Sequence, residues 1–381
     1  MLRASHATSP DACSEAEYDS GCGRNGEASI SDRASPSRVA CTAQSKGLVG
    51  YFHACLIRGE IVEDLKVFQH FNSLFDDFSY QDFATAPLLA HYTSIEVAEK
   101  ILMENTIWLS NPLFMNDLEE IRFIILNGTQ ILQGSSEIKA ACGNGDRYKT
   151  FRTHFDNLVN QFSNEHAVDT YIFCLSEYDE ASEKDGLLSM WRGYGANGNG
   201  VALVFDPKKI IEVPDSPLWI GKVDYLSRDK RIEWIGSLAK RFSDLFQSID
   251  ITDEQVGWAA IQLFERLKLF ALFTKHLGFH EEREWRVVYL RNRDVAKALD
   301  KFFHYWIGPR GIEPKLMFEI SSISGVSDPS LALENLFHKI LIGPSVSSPI
   351  AKLMIQRMLQ KCGKASLCEK VFASDIPYRP S

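Results

Sequence analysis

Residues 88–112, LLAHYTSIEVAEKILMENTIWLSNP, carry a strand, a helix and a second strand in one pass. The apolar run 88–90 suits a buried strand. Thr93 and Glu96 have the spacing of a capping box, which sets a helix start. Ile95, Ala98, Ile101 and Leu102 then share one face of that helix. Asn105 is a stop, and residues 106–110 read as a strand. His91, Tyr92 and Thr93 stand at the strand-to-helix corner. The first N–H groups of a helix have no internal partners, so such a corner favours polar or anionic ligand atoms.

Upstream, residues 1–46 are rich in Ser, Ala, Gly and acidic side chains and almost free of large apolar ones. This composition predicts a disordered leader, because too little apolar surface is available to offset ordering entropy. A leader of this kind is compatible with delivery by a specialised secretion system, although an unstructured tail or a misassigned start is the simpler account. From 47 to 85 aromatic residues become frequent, and Ile61, Leu65, Phe68 and Phe75 fit one helical face. A helical N-terminal extension is expected there.

Downstream, Asn116 and Glu119 have capping spacing for a further helix. Residues 130–165 read as a polar excursion, part helix and part loop. Strands are expected at 171–176, 201–206, 222–225, 282–290, 338–344 and 370–374. Helical patterns cover about 228–247 and 253–276, forming an insertion, and 348–362. With no βαβ series, the expectation for 86–381 is an α+β core of mixed, mainly antiparallel small sheets with flanking helices.

The chain is 45% hydrophobic and 24% charged, as in an ordinary soluble domain. Its net charge of -9 argues against a broad nucleic-acid surface, though not against a local basic groove. The eight cysteines form no CxxC pair, which disfavours a zinc knuckle and suits free thiols in a reducing cytoplasm. No apolar run is long enough to span a membrane, and the N-terminus lacks an apolar signal region, so a cytoplasmic protein is expected.

Several constellations bear on chemistry. In a strand, Glu282, Glu284 and Arg286 share one face while Trp285, Val287 and Tyr289 share the other. Two carboxylates and a guanidinium on one face suit either a ligand site or an exposed edge strand with a salt bridge. Leu187, Met190, Trp191 and Tyr194 fall at i, i+3, i+4 and i+7, and Ser176 ends a strand. Trp191 and Tyr194 suit either aromatic stacking on a ligand or core packing. Gly193, Gly195 and Gly198 match G-x-G-x-x-G, but helix precedes strand here, which excludes a dinucleotide fingerprint. His276 and His280 would share a face only if the helix reached them, and no metal site is expected.

His91-Tyr92-Thr93-Ser94, Trp108-Leu109-Ser110-Asn111-Pro112, Asn116-Asp117, Phe173-Cys174-Leu175-Ser176-Glu177, Met190-Trp191 with Tyr194, Gly200-Val201-Ala202 with Phe205-Asp206, Glu282-Arg283-Glu284-Trp285-Arg286 and Ile376-Pro377-Tyr378-Arg379 together resemble a bacterial family, the domain of unknown function numbered two-nine-seven-one. The resemblance runs from about Leu88 to the C-terminus. More remotely, the order of His-x-Thr, a Ser or Tyr block and Glu-x-Glu is similar to the ADP-ribosyltransferase superfamily. That likeness implies an ADP-ribosyltransferase-like fold with NAD as substrate and no metal. It implies cofactor-binding roles for His91, Tyr92, Thr93, Ser176, Trp191 and Tyr194, with Tyr194 stacked on nicotinamide. Glu284 would be catalytic, with Glu282 beside it, and Arg192 or Arg286 would hold the pyrophosphate. There is no clear Ser-Thr-Ser, only Cys174-Leu175-Ser176. The acceptor of ADP-ribose, macromolecule or small molecule, is not specified. Two alternatives stand beside this reading: a non-catalytic binding or regulatory module on the same fold, and a metal-dependent nuclease or phosphoryl-transfer enzyme.

Overall fold

The computed structural model describes residues 62–78, 83–115, 118–143, 145–163, 167, 169–213, 216–294, 296–308 and 311–378. The expected leader 1–46, residues 47–61 and 79–82 of the extension, the Asn116 cap and Arg379 lie outside the described residues.

The chain begins with α1 (Val62–Phe71) and continues through β1 (Leu88–Thr93), α2 (Ile95–Glu104) and β2 (Thr106–Ser110). Three helices follow, α3 (Leu118–Gly134), α4 (Ser136–Cys142) and α5 (Gly145–Gln161). Then come β3 (Thr170–Tyr178), α6 (Leu188–Gly193), β4 (Val201–Phe205), β5 (Leu218–Lys222) and β6 (Asp224–Leu226). The long helices α7 (Arg228–Gln247) and α8 (Val256–Leu272) precede β7 (Thr274–His276) and β8 (Glu284–Leu290). The last part holds the hairpin β9 (Phe303–Gly308) and β10 (Gly311–Glu319), α9 (Leu333–Leu336), β11 (Phe337–Ile342), α10 (Pro349–Lys361) and β12 (Val371–Ala373).

The α+β expectation holds, but the small sheets do not. One ten-stranded, mostly antiparallel sheet runs β12-β11-β4-β1-β3-β2-β10-β9, with β8 added to β3 and β5 added to β8. Strands far apart in sequence build it, which local patterning does not reveal. Among the described residues only β6 and β7 form a separate, two-stranded sheet.

The opening stretch folds nearly as read, with the cap one residue later. Ser94, not Thr93, accepts from the Val97 N–H, and Ile95 is exposed while Ala98, Ile101 and Leu102 are buried. Asn105 ends α2 in the left-handed region, φ 55°. The polar excursion is instead mostly helical: α5 buries Phe151 and Phe155 completely. Its polar residues occupy the solvent side of an amphipathic helix, so the stretch looks like a loop when its residues are counted without regard to face.

Strand β3 divides the interior. Tyr171, Phe173 and Leu175 join a core on one sheet face, with α2 and α10. On the other face Ile172 joins a helical core with Phe71, Phe242 and Phe264. Tyr178 on that same face joins a small core under α6, with Tyr92, Met190 and Trp191. Helix α8 is buried almost all round, as expected for the centre of a helical layer. Among the described residues no helix is long and apolar enough to cross a membrane.

Candidate functional site

The sheet forks at β3. One edge of β3 pairs with β8 from Thr170 to Ser176. The other edge meets β2 at Ile172 and β1 from Ser176 to Tyr178. Between those two ladders the Cys174 carbonyl accepts a hydrogen bond from His91 Nδ1 at 3.0 Å. A carbonyl only accepts, so Nδ1 carries the proton and Nε2 presents a lone pair. The imidazole lies against the Phe173 ring, centroids 4.4 Å apart. Burial pushes its pKa down to about 4, against the opposing pull of the Cys174 carbonyl. His91 is therefore neutral at pH 7.

A cavity of about 300 Å³ opens at this fork, between the helical core and the core under α6. It is lined by His91, Tyr92, Ser176, Tyr194, Glu282 and Glu284 of the expected site, and by Ser110, Cys174, Lys275 and Lys315. Strand pairing explains the convergence. Ala90 faces Ser176 across β1 and β3, and Ser176 faces Glu284 across β3 and β8. Directly opposed residues share a sheet face, so three distant segments meet in one row.

The two carboxylates are held differently. Glu284 opens β8, and its N–H donates to the Tyr225 hydroxyl at 2.7 Å. Arg286 Nε and Nη2 donate to its two carboxylate oxygens at 2.9 and 3.0 Å. Burial alone would raise the Glu284 pKa, but the Arg286 guanidinium outweighs it and Lys275 adds to that, holding the carboxyl well below the usual range. The strand is internal, not the exposed edge considered from sequence: Arg286 is fully buried and also donates to the Leu272 carbonyl. Its fork is spent on the protein, which leaves no hand for a pyrophosphate.

Glu282 lies outside β8, at the end of the short 3-10 helical segment Leu277–Glu282. Ser176 Oγ donates to its carbonyl at 2.6 Å, so Ser176 anchors this turn. Tyr194 Oη donates to one Glu282 carboxylate oxygen and Lys275 Nζ to the other, each at 2.6 Å. Lys275 Nζ is also 3.5 Å from Glu284. Between the two acids Arg283 is left-handed, φ 40°, a conformation uncommon outside Gly, Asn and Asp. That residue lets both acids reach the cavity although only Glu284 is in the strand.

Thr93, Trp191 and Arg192 of the expected site fall elsewhere. Thr93 is buried in the β1–β4 ladder opposite Val201 and does not line the cavity. Trp191 is fully buried, donates to the Asp185 carbonyl and packs edge-on against Tyr92, so its role is core packing. Arg192 lies over the Tyr378 ring, outside the cavity lining. Tyr194 caps the end of α6 and is 46% exposed, so its ring is accessible. His276 is in β7 and His280 in the following turn, both exposed. The helix stops at Leu272, so the common face that a longer helix would give them does not form. Among the described residues no group of three or more His, Cys, Asp or Glu could hold a metal ion.

Sequence reasoning missed Lys275, Lys315 and the cavity role of Ser110. Lys275 is buried beside two acids and sits in a three-residue strand that follows a long helix. Nothing in its local pattern separates it from the end of that helix. Lys315, from β10, pairs with Glu313 at 3.1 Å and donates to Ser110 Oγ at 3.0 Å.

Residues 190–287 match the family model described as "Protein of unknown function (DUF2971)". The match runs from α6 into β8. It contains Tyr194, Lys275, Glu282, Glu284 and Arg286, and it is shorter than the expected extent from Leu88. No curated protein matched the chain, and no solved structure matched it. The likeness to ADP-ribosyltransferases therefore rests on the motif order alone.

Proposed function

We propose that the fork cavity binds NAD and breaks its nicotinamide–ribose bond, passing ADP-ribose to an acceptor. The observation that carries this reading is the meeting of His91, Tyr194, Glu282 and Glu284 in one cavity, although they come from three distant segments. At about 300 Å³ the cavity is at the small end for ligand sites, enough for one end of a dinucleotide. The remaining length of NAD would extend out of the mouth.

Each group has a fitting task. The Nε2 lone pair of His91 accepts from a ribose hydroxyl. The exposed Tyr194 ring stacks on nicotinamide, leaving Glu282 as it does so. In the reaction, the bond from the ribose carbon to the pyridinium nitrogen breaks. Its electron pair goes to that nitrogen, so nicotinamide departs neutral. The ribose carbon gains oxocarbenium character, opposed by the Glu284 carboxylate in a site shielded from water. An acceptor hydroxyl, amine, thiol or carboxylate, or water, then adds to the carbon and gives up its proton where it carries one.

One observation favours a second reading. Both oxygens of Glu284 are engaged by Arg286. A carboxylate already matched by a cation opposes new positive charge less well, so the cavity could serve a module that binds ligand without turnover. Chromatographic detection of nicotinamide released from NAD separates the two. The enzyme reading predicts slow release by the wild type, and a loss of about 10²-fold or more in Glu284→Gln with NAD binding kept. NAD binding without any release would leave the binding module. Equal release by both proteins would move the catalytic role to Glu282.

A further inference from the structure

The hairpin β9–β10 leaves one end of the large sheet open. Among the described residues β9 pairs only with β10, and it is the last strand in the sheet order. Strand β2 pairs with β10 only from Lys315 to Glu319, so residues 305–308 and 311–314 reach beyond it as a two-stranded arm. Directly opposed residues share a sheet face, and so do alternate residues of one strand. Tyr305 opposes Pro314 and Ile307 opposes Ile312, so these four side chains form one face of the arm. Tyr305 is 76%, Ile307 79% and Ile312 64% exposed. They continue the sheet face on which a separate apolar cavity lies among Leu109, Leu175 and Phe318. Trp306 is on the other face, where its ring covers Gly308 and its centroid is 5.9 Å from Lys315 Nζ at the fork cavity.

An open sheet edge presents unpaired N–H and C=O groups, and natural edges are commonly protected by a charge, a proline, a bulge or a very short strand. Strand β12, at the other end of the sheet, has three residues. Strand β9 has six, with no Lys, Arg, Asp, Glu or Pro and no register shift against β10. Such a strand is its own complement. Across a two-fold axis normal to the sheet it meets its copy antiparallel, and each residue keeps its face. With the axis at Trp306, Trp306 meets the partner's Trp306, and Tyr305 meets the partner's Ile307 on both sides of the axis. This register opposes the two most exposed side chains of β9 to each other. Aromatic pairs and aromatic–β-branched pairs stabilise an antiparallel ladder, and no like charges are opposed here. Tyr305, Trp306, Ile307 and Ile312 leave on the order of 500 Å² of side-chain surface open on each copy. Pairing covers up to about 1,000 Å² in all, the lower bound for a specific interface, which suits a reversible dimer. We propose that β9 pairs antiparallel with the β9 of a second copy of this chain, centred on Trp306, and joins two ten-stranded sheets into one. The pairing is independent of the NAD reading.

Sedimentation velocity of the full chain, at about 1 to 100 μM, provides the test. The wild type should pass from monomer to dimer across that range. Tyr305→Lys with Ile307→Lys opposes lysine to lysine on both sides of the axis and should hold the protein monomeric. Tyr305→Lys with Ile307→Glu opposes each lysine to a glutamate only in this register, and should restore the dimer. Both positions are largely exposed, so neither variant disturbs a core. A wild type that stays monomeric throughout the range would overturn the proposal and leave the edge to another occupant. A dimer that persists in the Lys–Lys variant, or a Lys–Glu variant as monomeric as the Lys–Lys one, would overturn it as well.

Discussion

At the residue scale, His91 ties the fork together. Its Nδ1 closes onto the Cys174 carbonyl where β1 and β2 part, and burial keeps the ring neutral. A proton-binding consequence follows. The folded pKa, about 4, lies below the ordinary 6.5, so in this range the unfolded chain binds the proton more readily. The stability contributed by the neutral ring is complete above pH 6.5 and is lost as the pH falls toward 4. His91→Gln keeps an N–H donor but does not titrate. Urea-unfolding midpoints across that window should fall more steeply with acid for the wild type than for the variant, and parallel curves would show that His91 stays protonatable in the fold. The His at this corner was legible in sequence, and so were Glu282, Glu284 and Tyr194. Their ion partners were not all legible. Arg286 was visible as a strand neighbour of Glu284, whereas Lys275 reaches both acids only through the turn at Arg283.

At the element scale, local signals served where local chemistry decides. Helix α2 starts at a side-chain cap and ends at a left-handed Asn, both readable in residues 93–105. The structure moves the cap to Ser94, whose hydroxyl also binds the Glu96 carboxylate and lowers its pKa. Ser94→Ala should therefore cost about 1 kcal/mol, seen as a lower thermal midpoint. Thr93→Val, nearly the same shape, should cost less, and the reverse order would return the cap to Thr93. The β9–β10 hairpin escaped sequence reading for physical reasons. Strand β9 shows no alternation, because Tyr305, Trp306 and Ile307 are all exposed. Pro314 lies inside β10, where proline argues against a strand interior. Alternation did survive in β8, whose Trp285, Val287 and Tyr289 face one core while Val288 faces the other.

At the scale of the whole molecule, the two sheet faces differ in chemistry. One face carries the polar fork cavity between two cores, and the other carries an apolar cavity. Both arise because β3 is shared by β1, β2 and β8, a topology set by long-range pairing and invisible to any window of sequence. The α+β class was legible from element order, whereas the single large sheet was not. The central claim is that the fork is where the ligand sits, and titration calorimetry of NAD into wild-type protein and His91→Ala tests it most directly. The account predicts saturable binding by the wild type and affinity weakened by about tenfold or more in a folded His91→Ala protein, through loss of the Nε2 acceptor. No binding by the wild type, or equal affinity in both proteins, would contradict it.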